Sequence, residues 1–309
     1  MNASSRLGSK RMGRTEISIV IGTLNRKEML INCIKNIRSN GITVPYETIV
    51  IDGGSDDGTT AWLSEQQDIL TIIHHNRVNQ DGHLAMKRSW GYFMNLGFKS
   101  AEGKYICMLS DDLYIHPNSI MNAYNLLEND KDQVLGACAF PFRDCFISEQ
   151  FFIYKACEDK ILVNHGMYRR ELLASLGWID EENYMFYLAD TDLSLKIWNR
   201  GYQIAVSYNS IIEHFRYDFD SKRAENLVLS KESQDYMRFT EIWGMDKEGV
   251  PAITKEYFPQ IAKGLRMSYM PDGWLFKVLF AKAWLKQITK RTPFLYQLLK
   301  KIKNRSFSG

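Results

Sequence analysis

The sequence predicts an α/β protein in which a mixed, mostly parallel sheet carries helices on both faces, followed by a C-terminal helical extension. Three observations carry this expectation. Apolar, β-branched runs alternate with amphipathic stretches over residues 17–140, and strands separated by crossover helices return parallel to one another. Clusters of Gly, Asp, Ser and Asn follow the apolar runs, where such a sheet needs turns. Beyond residue 243 the pattern changes to a basic, aromatic-rich amphipathic stretch.

The elements follow in order. Residues 17–22 form a short β-branched run, and Asn25 is placed as the N-cap of a helix whose Leu30, Ile31, Ile34 and Ile37 fall at helical spacing. Residues 47–51 read as a second strand, 52–58 as a turn-rich loop and 59–66 as a helix. A third strand is expected over 70–74, a long helix over 83–101 and a fourth strand over 104–109, ending at Ser110, Asp111 and Asp112. Pro117 suits the first turn of an amphipathic segment that runs to Leu127. Residues 134–140 read as a buried strand, 143–165 as a less regular region, 169–176 and 191–200 as helices, and 202–206 and 210–213 as short strands.

Composition narrows the class. With 45% apolar and 24% charged residues among 309, collagen-like, low-complexity and wholly disordered chains are excluded. The longest apolar run, 134–142, stops at Arg143, short of the ~18 residues that a bilayer span requires. Residues 1–15 carry Arg6, Lys10, Arg11 and Arg14 without an apolar core, and are expected to be a flexible basic arm rather than a secretory signal. Five cysteines, an odd set without a C-x-x-C pair, suit reduced thiols in the cytoplasm better than disulfides or a zinc site. The net charge of +3 hides an asymmetry: residues 274–309 hold nine basic residues and no acid, leaving 30 basic against 36 acidic in the rest. Such a tail implies an anionic partner of its own.

Ligands of an open parallel sheet bind beyond the carboxyl ends of its strands, which singles out three loops. After the first strand come Gly22 to Arg26. After the second, Asp52 leads a Gly, Ser and Asp turn; it reads either as a purely conformational turn or as a nucleoside pocket whose carboxylate accepts from a base or ribose. After the fourth, Ser110, Asp111 and Asp112 read either as a capping run or as hard oxygen ligands for Mg2+ or Mn2+ bridging to a diphosphate. Asp192 suits a helix cap, whereas Asp190 is the better placed general base. Lys87 and Arg88 are either a solvated helix face or phosphate contacts.

In series, ISIVIGTLNR (17–26), IVIDGGSDDGT (49–59), AEGKYI (101–106), LSDD (109–112), GWIDE (177–181), YLADTDLSLK (187–196) and GY (201–202) resemble the inverting family 2 glycosyltransferases. The resemblance covers about 16–215 and implies the GT-A fold, a Rossmann-like sheet. The sequence pattern divides the chain into an arm (1–15), a catalytic domain (16–243), which the resemblance makes a GT-A glycosyltransferase domain, and a helical, basic amphipathic C-terminal region (244–309). By position the resemblance implies that Thr23, Asn25 and Arg26 line the nucleotide end of the pocket and that Asp52 holds the base, with Lys87 as a phosphate contact. Ser110 to Asp112 looks like the DXD motif, with Asp112 the metal ligand and Asp111 near the donor ribose or sugar. Asp190 corresponds to the catalytic base, and His214 to a histidine that binds the metal or diphosphate. Ala189 stands where many relatives have Glu.

The resemblance implies a metal-assisted inverting transfer of a hexosyl or related group. The donor is a nucleotide-diphosphate sugar of the UDP, dTDP or GDP type, the cofactor Mn2+ or Mg2+, and the acceptor a hydroxyl of a saccharide or lipid-linked saccharide, as in cell-surface polysaccharide, O-antigen or capsule biosynthesis. The apolar and basic side chains of 274–288 suit either an interfacial helix on an anionic inner membrane face or a helix packed on protein. The alternatives are a sugar-nucleotide nucleotidyltransferase and a catalytically degenerate GT-A scaffold. The first βα turn lacks G-x-G-x-x-G, which speaks against a dinucleotide-dependent oxidoreductase, and no nucleic-acid recognition motif accompanies the basic tail.

Overall fold

The computed structural model describes residues 14–80, 83–144, 150–157, 159–215, 234–244 and 253–262. The elements run β1 (Ile17–Thr23), α1 (Lys27–Arg38), β2 (Tyr46–Asp52), α2 (Thr59–Ser64), β3 (Ile69–Ile73), β4 (Arg77–Gln80), β5 (His83–Met86), α3 (Trp90–Ser100) and β6 (Tyr105–Ser110). They continue with β7 (Leu113–Ile115), α4 (Ser119–Glu128), β8 (Leu135–Ala139), β9 (Phe142–Asp144), β10 (Phe151–Ala156), β11 (Lys160–Leu162), β12 (Gly166–Arg169) and α5 (Arg170–Ser175). The last are α6 (Ala189–Asn199), β13 (Gln203–Val206), β14 (Ile212–His214), α7 (Gln234–Trp243), β15 (Thr254–Phe258) and a short helix, Pro259–Ala262.

Seven strands form the main sheet in the order β13-β8-β12-β6-β1-β2-β3. All neighbours are parallel except β12, which runs antiparallel to both β6 and β8. The period-2 pattern explains why β1 sits at its centre: Ile17, Ile19 and Ile21 face one layer and Val20 the other, all fully buried. On the first face lie Leu30, Ile34 and Ile37 of α1 with Ile120 and Leu127 of α4; on the second lie Phe93 and Phe98 of α3 with Leu193 and Ile197 of α6. Burying a side chain such as Phe98 stabilises the layer by roughly 1.5–3 kcal/mol.

A second sheet, β11-β10-β9-β14-β7 with β15 added on β10, packs its Phe142, Phe152 and Ile212 into the first layer. Three of its six strands, β9, β10 and β11, come almost wholly from 143–165, the stretch expected to be irregular. Their apolar residues, such as Phe151, Phe152 and Ile153 in one run, are buried on both sides and show no alternation to read.

Other elements also differ from expectation. The long helix 83–101 begins only at Trp90, because Ser89 Oγ accepts from Tyr92 N at 3.1 Å as an N-cap while His83–Met86 pairs with Arg77–Gln80 as a hairpin. Asn25 does not cap α1; it adopts φ +53, and the first helical amide, Lys27 N, donates instead to Asp57 Oδ2 at 3.0 Å. Within 244–309, the region expected to be helical, Thr254–Phe258 forms a strand paired antiparallel with β10. Residues 1–13 of the basic arm (1–15) and the amphipathic stretch 274–288 lie outside the described residues. No described helix is long and apolar enough to cross a membrane, and the described cysteines, Cys33, Cys107, Cys138 and Cys157, are free.

Gly166 opens β12 opposite Ala139 of β8, and a Cβ there would overlap the Cys138 carbonyl oxygen and approach Val163 Cγ1 at 2.5 Å. Gly166→Ala is expected to cost about 1–3 kcal/mol, read as a lower urea midpoint with an unchanged slope.

Candidate active site

The parallel register sets the floor of the site. Thr23 pairs with Asp52 and Gly22 with Ser110, so the carboxyl ends of β1, β2 and β6 finish side by side. The loops beyond them are tied together: Asn25 N donates to Ser55 Oγ at 2.8 Å, and Asp56 N donates to Asn25 Oδ1 at 2.8 Å. Asp52 is fully buried; its Oδ1 accepts from the Gly54 and Ser55 amides at 2.7 Å each, a turn that Gly54 permits with φ +90. Its Oδ2 is buried without a hydrogen-bond partner.

Asp111 and Asp112, just past β6, are 3% and 6% exposed, so two adjacent carboxylates are held away from water. Arg26 Nη1 answers both, at 3.1 Å from Asp111 Oδ1 and 3.0 Å from Asp112 Oδ2, and Thr23 Oγ1 donates to Asp111 Oδ2 at 2.7 Å. Burial and the neighbouring Asp112 push the Asp111 carboxyl up to about 6, against the pull of Arg26. Burial also acts on Asp112, but the facing His214 and Arg26 outweigh it and hold that carboxyl well below its usual range.

The second sheet delivers His214. Strands β9 and β14 run parallel with His214 opposite Asp144 and Glu213 opposite Arg143. His214 Nδ1 donates to Asp144 Oδ1 at 2.9 Å, which turns Nε2 toward Asp112 Oδ2 at 3.4 Å. Burial alone would lower the imidazole, but carboxylates at both nitrogens push it up to about 9. His165, whose ring centroid lies 5.7 Å from that of His214, is driven down to about 3 by burial and stays neutral, with a buried Nε2 that has no partner.

Asp190 lies in the first turn of α6, after Leu188, whose φ of +69 turns the chain into the helix. Its Oδ1 accepts from Thr191 N at 2.8 Å and its Oδ2 from Asn164 Nδ2 at 3.0 Å. Burial raises the Asp190 carboxyl above its ordinary value. Asp192, expected as a cap, is instead fully buried, accepting from Tyr184 OH at 3.2 Å and Trp243 Nε1 at 3.0 Å and pairing with Lys196 at 2.7 Å.

Two adjoining cavities share this floor. The first, about 220 Å³, is bounded by Thr23, Arg26, Gly53, Arg77 and Asp111 over an apolar wall that includes Phe93 and Met108. The second, about 520 Å³, is bounded by Asp112, Asp144, His214 and Asp190 and by the aromatic rings of Tyr154, Tyr187 and Tyr236. Arg26, Trp90, Asn164, His165 and Phe186 line both. The structure thus gathers Thr23, Arg26, Asp111, Asp112, Asp190 and His214. Asn25 braces the first loop against the second. Asp52 lies buried beneath Gly53, itself on the first cavity wall. Lys87 is exposed and lines neither cavity, and the basic side chain supplied by this part of the chain is Arg77. The hairpin is the reason: Lys87 follows β5, where its amide donates to Asn76 O, rather than lying on the face of α3.

Among the described residues no three His, Cys, Asp or Glu side chains form a group that holds a metal by themselves. The residues nonetheless fit a divalent cation that also binds ligand oxygens. Asp112 Oδ1 is buried without a partner, and the His214 ring is oriented by the Asp144 carboxylate in the manner of a metal-ligating imidazole.

The architecture is that of the GT-A glycosyltransferases. Residues 18–151 match glycosyl transferase family 2. The matched family 2 segment carries Thr23, Arg26, Asp52, Asp111 and Asp112, whereas Asp190 and His214 lie beyond it. Among solved structures the chain is similar to the mannosyltransferase PcManGT from Pyrobaculum calidifontis in complex with GDP-Man and Mn2+, with a TM-score of 0.53 and 17% identity over 76% of this chain and 66% of that one. It is also similar to S. aureus TarS 1-349 in complex with UDP, with a TM-score of 0.52 and 13% identity over 76% and 73% of the two chains. The chain thus spans just under two thirds of the mannosyltransferase, and at these identities the likeness is one of fold. No curated protein matches the sequence.

The Arg26 contacts set a testable pH dependence. Asp111 has a raised folded-state value, so its contribution to stability is complete below the ordinary carboxylate range and is lost as pH rises through about 6. Arg26→Ala removes the counter-charge and is expected to lower the melting temperature more at pH 8 than at pH 5. An equal loss at both pH values in a fluorimetric melt would count against this.

Proposed function

We propose that this protein is a metal-assisted inverting glycosyltransferase that moves a sugar from a nucleotide-diphosphate sugar to a hydroxyl of a saccharide or lipid-linked saccharide. The observation that carries the reading is the placement of Asp190 in one wall of a cavity whose floor holds Asp112 and His214, next to the cavity bounded by the loops after β1 and β2. The smaller cavity would take the nucleotide, with Thr23, Arg26 and Asp111 at its inner end and Gly53, in the turn that the buried Asp52 carboxylate holds, beside the base. The larger one would take the acceptor, whose sugar faces suit aromatic walls such as Tyr154, Tyr187 and Tyr236. Lipid-linked acceptors fit the basic, aromatic stretch 274–288, which would meet an anionic membrane surface.

Asp112 and His214 would hold Mn2+ or Mg2+. When bound, that ion supplies positive charge to the diphosphate oxygens as the leaving group departs. Asp144 fixes the His214 tautomer and ring orientation. Arg26 adds a fixed positive charge on the same side. Asp190 takes the proton of the acceptor hydroxyl as that oxygen bonds to the anomeric carbon. The bond from that carbon to the diphosphate breaks with its electron pair on the phosphate oxygen, which inverts the configuration. Because the base must be ionised and burial raises it, turnover should fall on the acid side at a pH above the ordinary carboxylate range.

Calorimetric titration of UDP, GDP and dTDP with and without Mn2+ tests the donor side. Metal-dependent binding of one diphosphate, lost in Asp112→Ala, is the expected result. Asp190→Asn should retain that binding while turnover drops by about 10²-fold or more. Release of pyrophosphate instead of nucleoside diphosphate would favour the nucleotidyltransferase reading, and absence of any nucleotide binding would favour a degenerate scaffold.

A further inference from the structure

We propose that Asn164 is the positioning residue of the base, its side-chain amide orienting the Asp190 carboxylate at the waist between the two cavities. The inference rests on the reading of Asp190 as general base and adds the means by which that carboxylate is aimed.

The two oxygens of Asp190 are held differently. The Oδ1 contact, 2.8 Å from Thr191 N, is made by the next residue of the same helix turn and is available to almost any Asp in that position. The Oδ2 contact, 3.0 Å from Asn164 Nδ2, comes from a separate element 26 residues earlier, just ahead of β12. It therefore fixes the side-chain rotamer relative to the sheet. Asn164 lines both cavities, whereas Asp190 lines only the second. Its neighbour Val163 is pinned to the same helix, with Val163 N donating to Ser194 Oγ at 3.0 Å, and Ser194 Oγ in turn donates to Asp190 O at 2.8 Å. The peptide carrying Asn164 thus cannot shift without moving the first turns of α6. The residue before the base, Ala189, is fully buried in the core and offers no polar group.

A neutral amide suits this task. It favours the ionised carboxylate by hydrogen bonding without placing a second charge beside it. The Thr191 side chain also hydrogen-bonds the carboxylate, but from the adjacent residue of the same turn, and the remaining groups act at longer range. Tyr168 of β12 senses its charge, and its hydroxyl donates to Val163 O at 3.2 Å. His165, Tyr154, Tyr187 and Tyr236 share the cavity wall, and the Asp112, His214 and Asp144 set faces it across the floor.

The experiment compares wild type, Asn164→Ala, Asn164→Asp and Asp190→Asn as full-length chains. Carboxyl titrations are followed by 13C NMR with labelled aspartate, the Asp190 signal being the one lost in Asp190→Asn. Hydrolysis of UDP-N-acetylglucosamine and GDP-mannose is followed across pH. Asn164→Ala should raise the Asp190 midpoint by about one pH unit, move the acid limb of hydrolysis with it and leave nucleoside diphosphate affinity within about threefold of wild type. Asn164→Asp, close in shape, keeps the test available should the alanine variant fail to fold, and should raise the midpoint further through like-charge repulsion. An unmoved Asp190 midpoint in both variants, or a loss confined to nucleotide affinity, overturns the proposal. Hydrolysis that survives Asp190→Asn overturns the base reading itself, and the two failures are told apart by that variant.

Discussion

Two neighbouring carboxylates at the end of β6 are kept out of water, and the surrounding structure is arranged to make that tolerable. Arg26 reaches both from the loop after β1, Thr23 donates to one of them, and His214 faces the other. Removing one partner of such a set leaves an uncompensated buried charge, the costly case for interior ions. The consequence is that the loop after β1, the end of β6 and strand β14 are fixed against one another by charge as well as by packing. On the proposed reading, a site that would receive diphosphate oxygens is thereby already balanced: Asp112 would face the cation, and Arg26 lies close enough to both carboxylates to limit repulsion.

The second sheet contributes more than a scaffold. By placing His214 in register with Asp144 it converts an ordinary parallel pairing into an oriented imidazole. Beside it, Arg143 donates to both oxygens of Glu213 at 2.7 Å, closing an ion pair that is almost fully buried and bonded on both sides. Hydrogen-bonded pairs of this kind do little for net stability but hold a single arrangement of strands. Here the strands so held are the ones that carry the imidazole to the carboxylates of the main sheet.

Much of the fold was legible in the sequence because the main sheet writes itself in apolar runs followed by turn residues. The strand ends that carry Thr23, Asp52 and Asp111 follow from that rule alone and Asp190 from its place near a helix start, whereas His214 is singled out only by the family resemblance. Lys87 was misplaced because 83–101 carries apolar residues throughout, and only the Ser89 cap reveals that the helix starts late. Arg77, Asp144 and Asn164 gave no signal. Arg77 reaches the site through a hairpin, Asp144 through a strand of the second sheet, where doubly buried residues erase the alternation that marks a half-exposed strand, and Asn164 through the bend between β11 and β12. What distinguishes them is contact between elements far apart in the chain, which periodicity does not record.

The pairing of β15 with β10 bears on how short the protein can be made. Ile253 lines the larger cavity and Phe258 is buried in the core beside the strand that carries Tyr154. A chain ended at Trp243, where the helix pattern of the main domain stops, would keep every acidic residue of the site yet lose one wall of the cavity. It would also leave β10 with an uncovered edge, an invitation to pair with another molecule. The smallest fragment that preserves this cavity must therefore run at least through Phe258, more than a hundred residues past the segment that the family match covers.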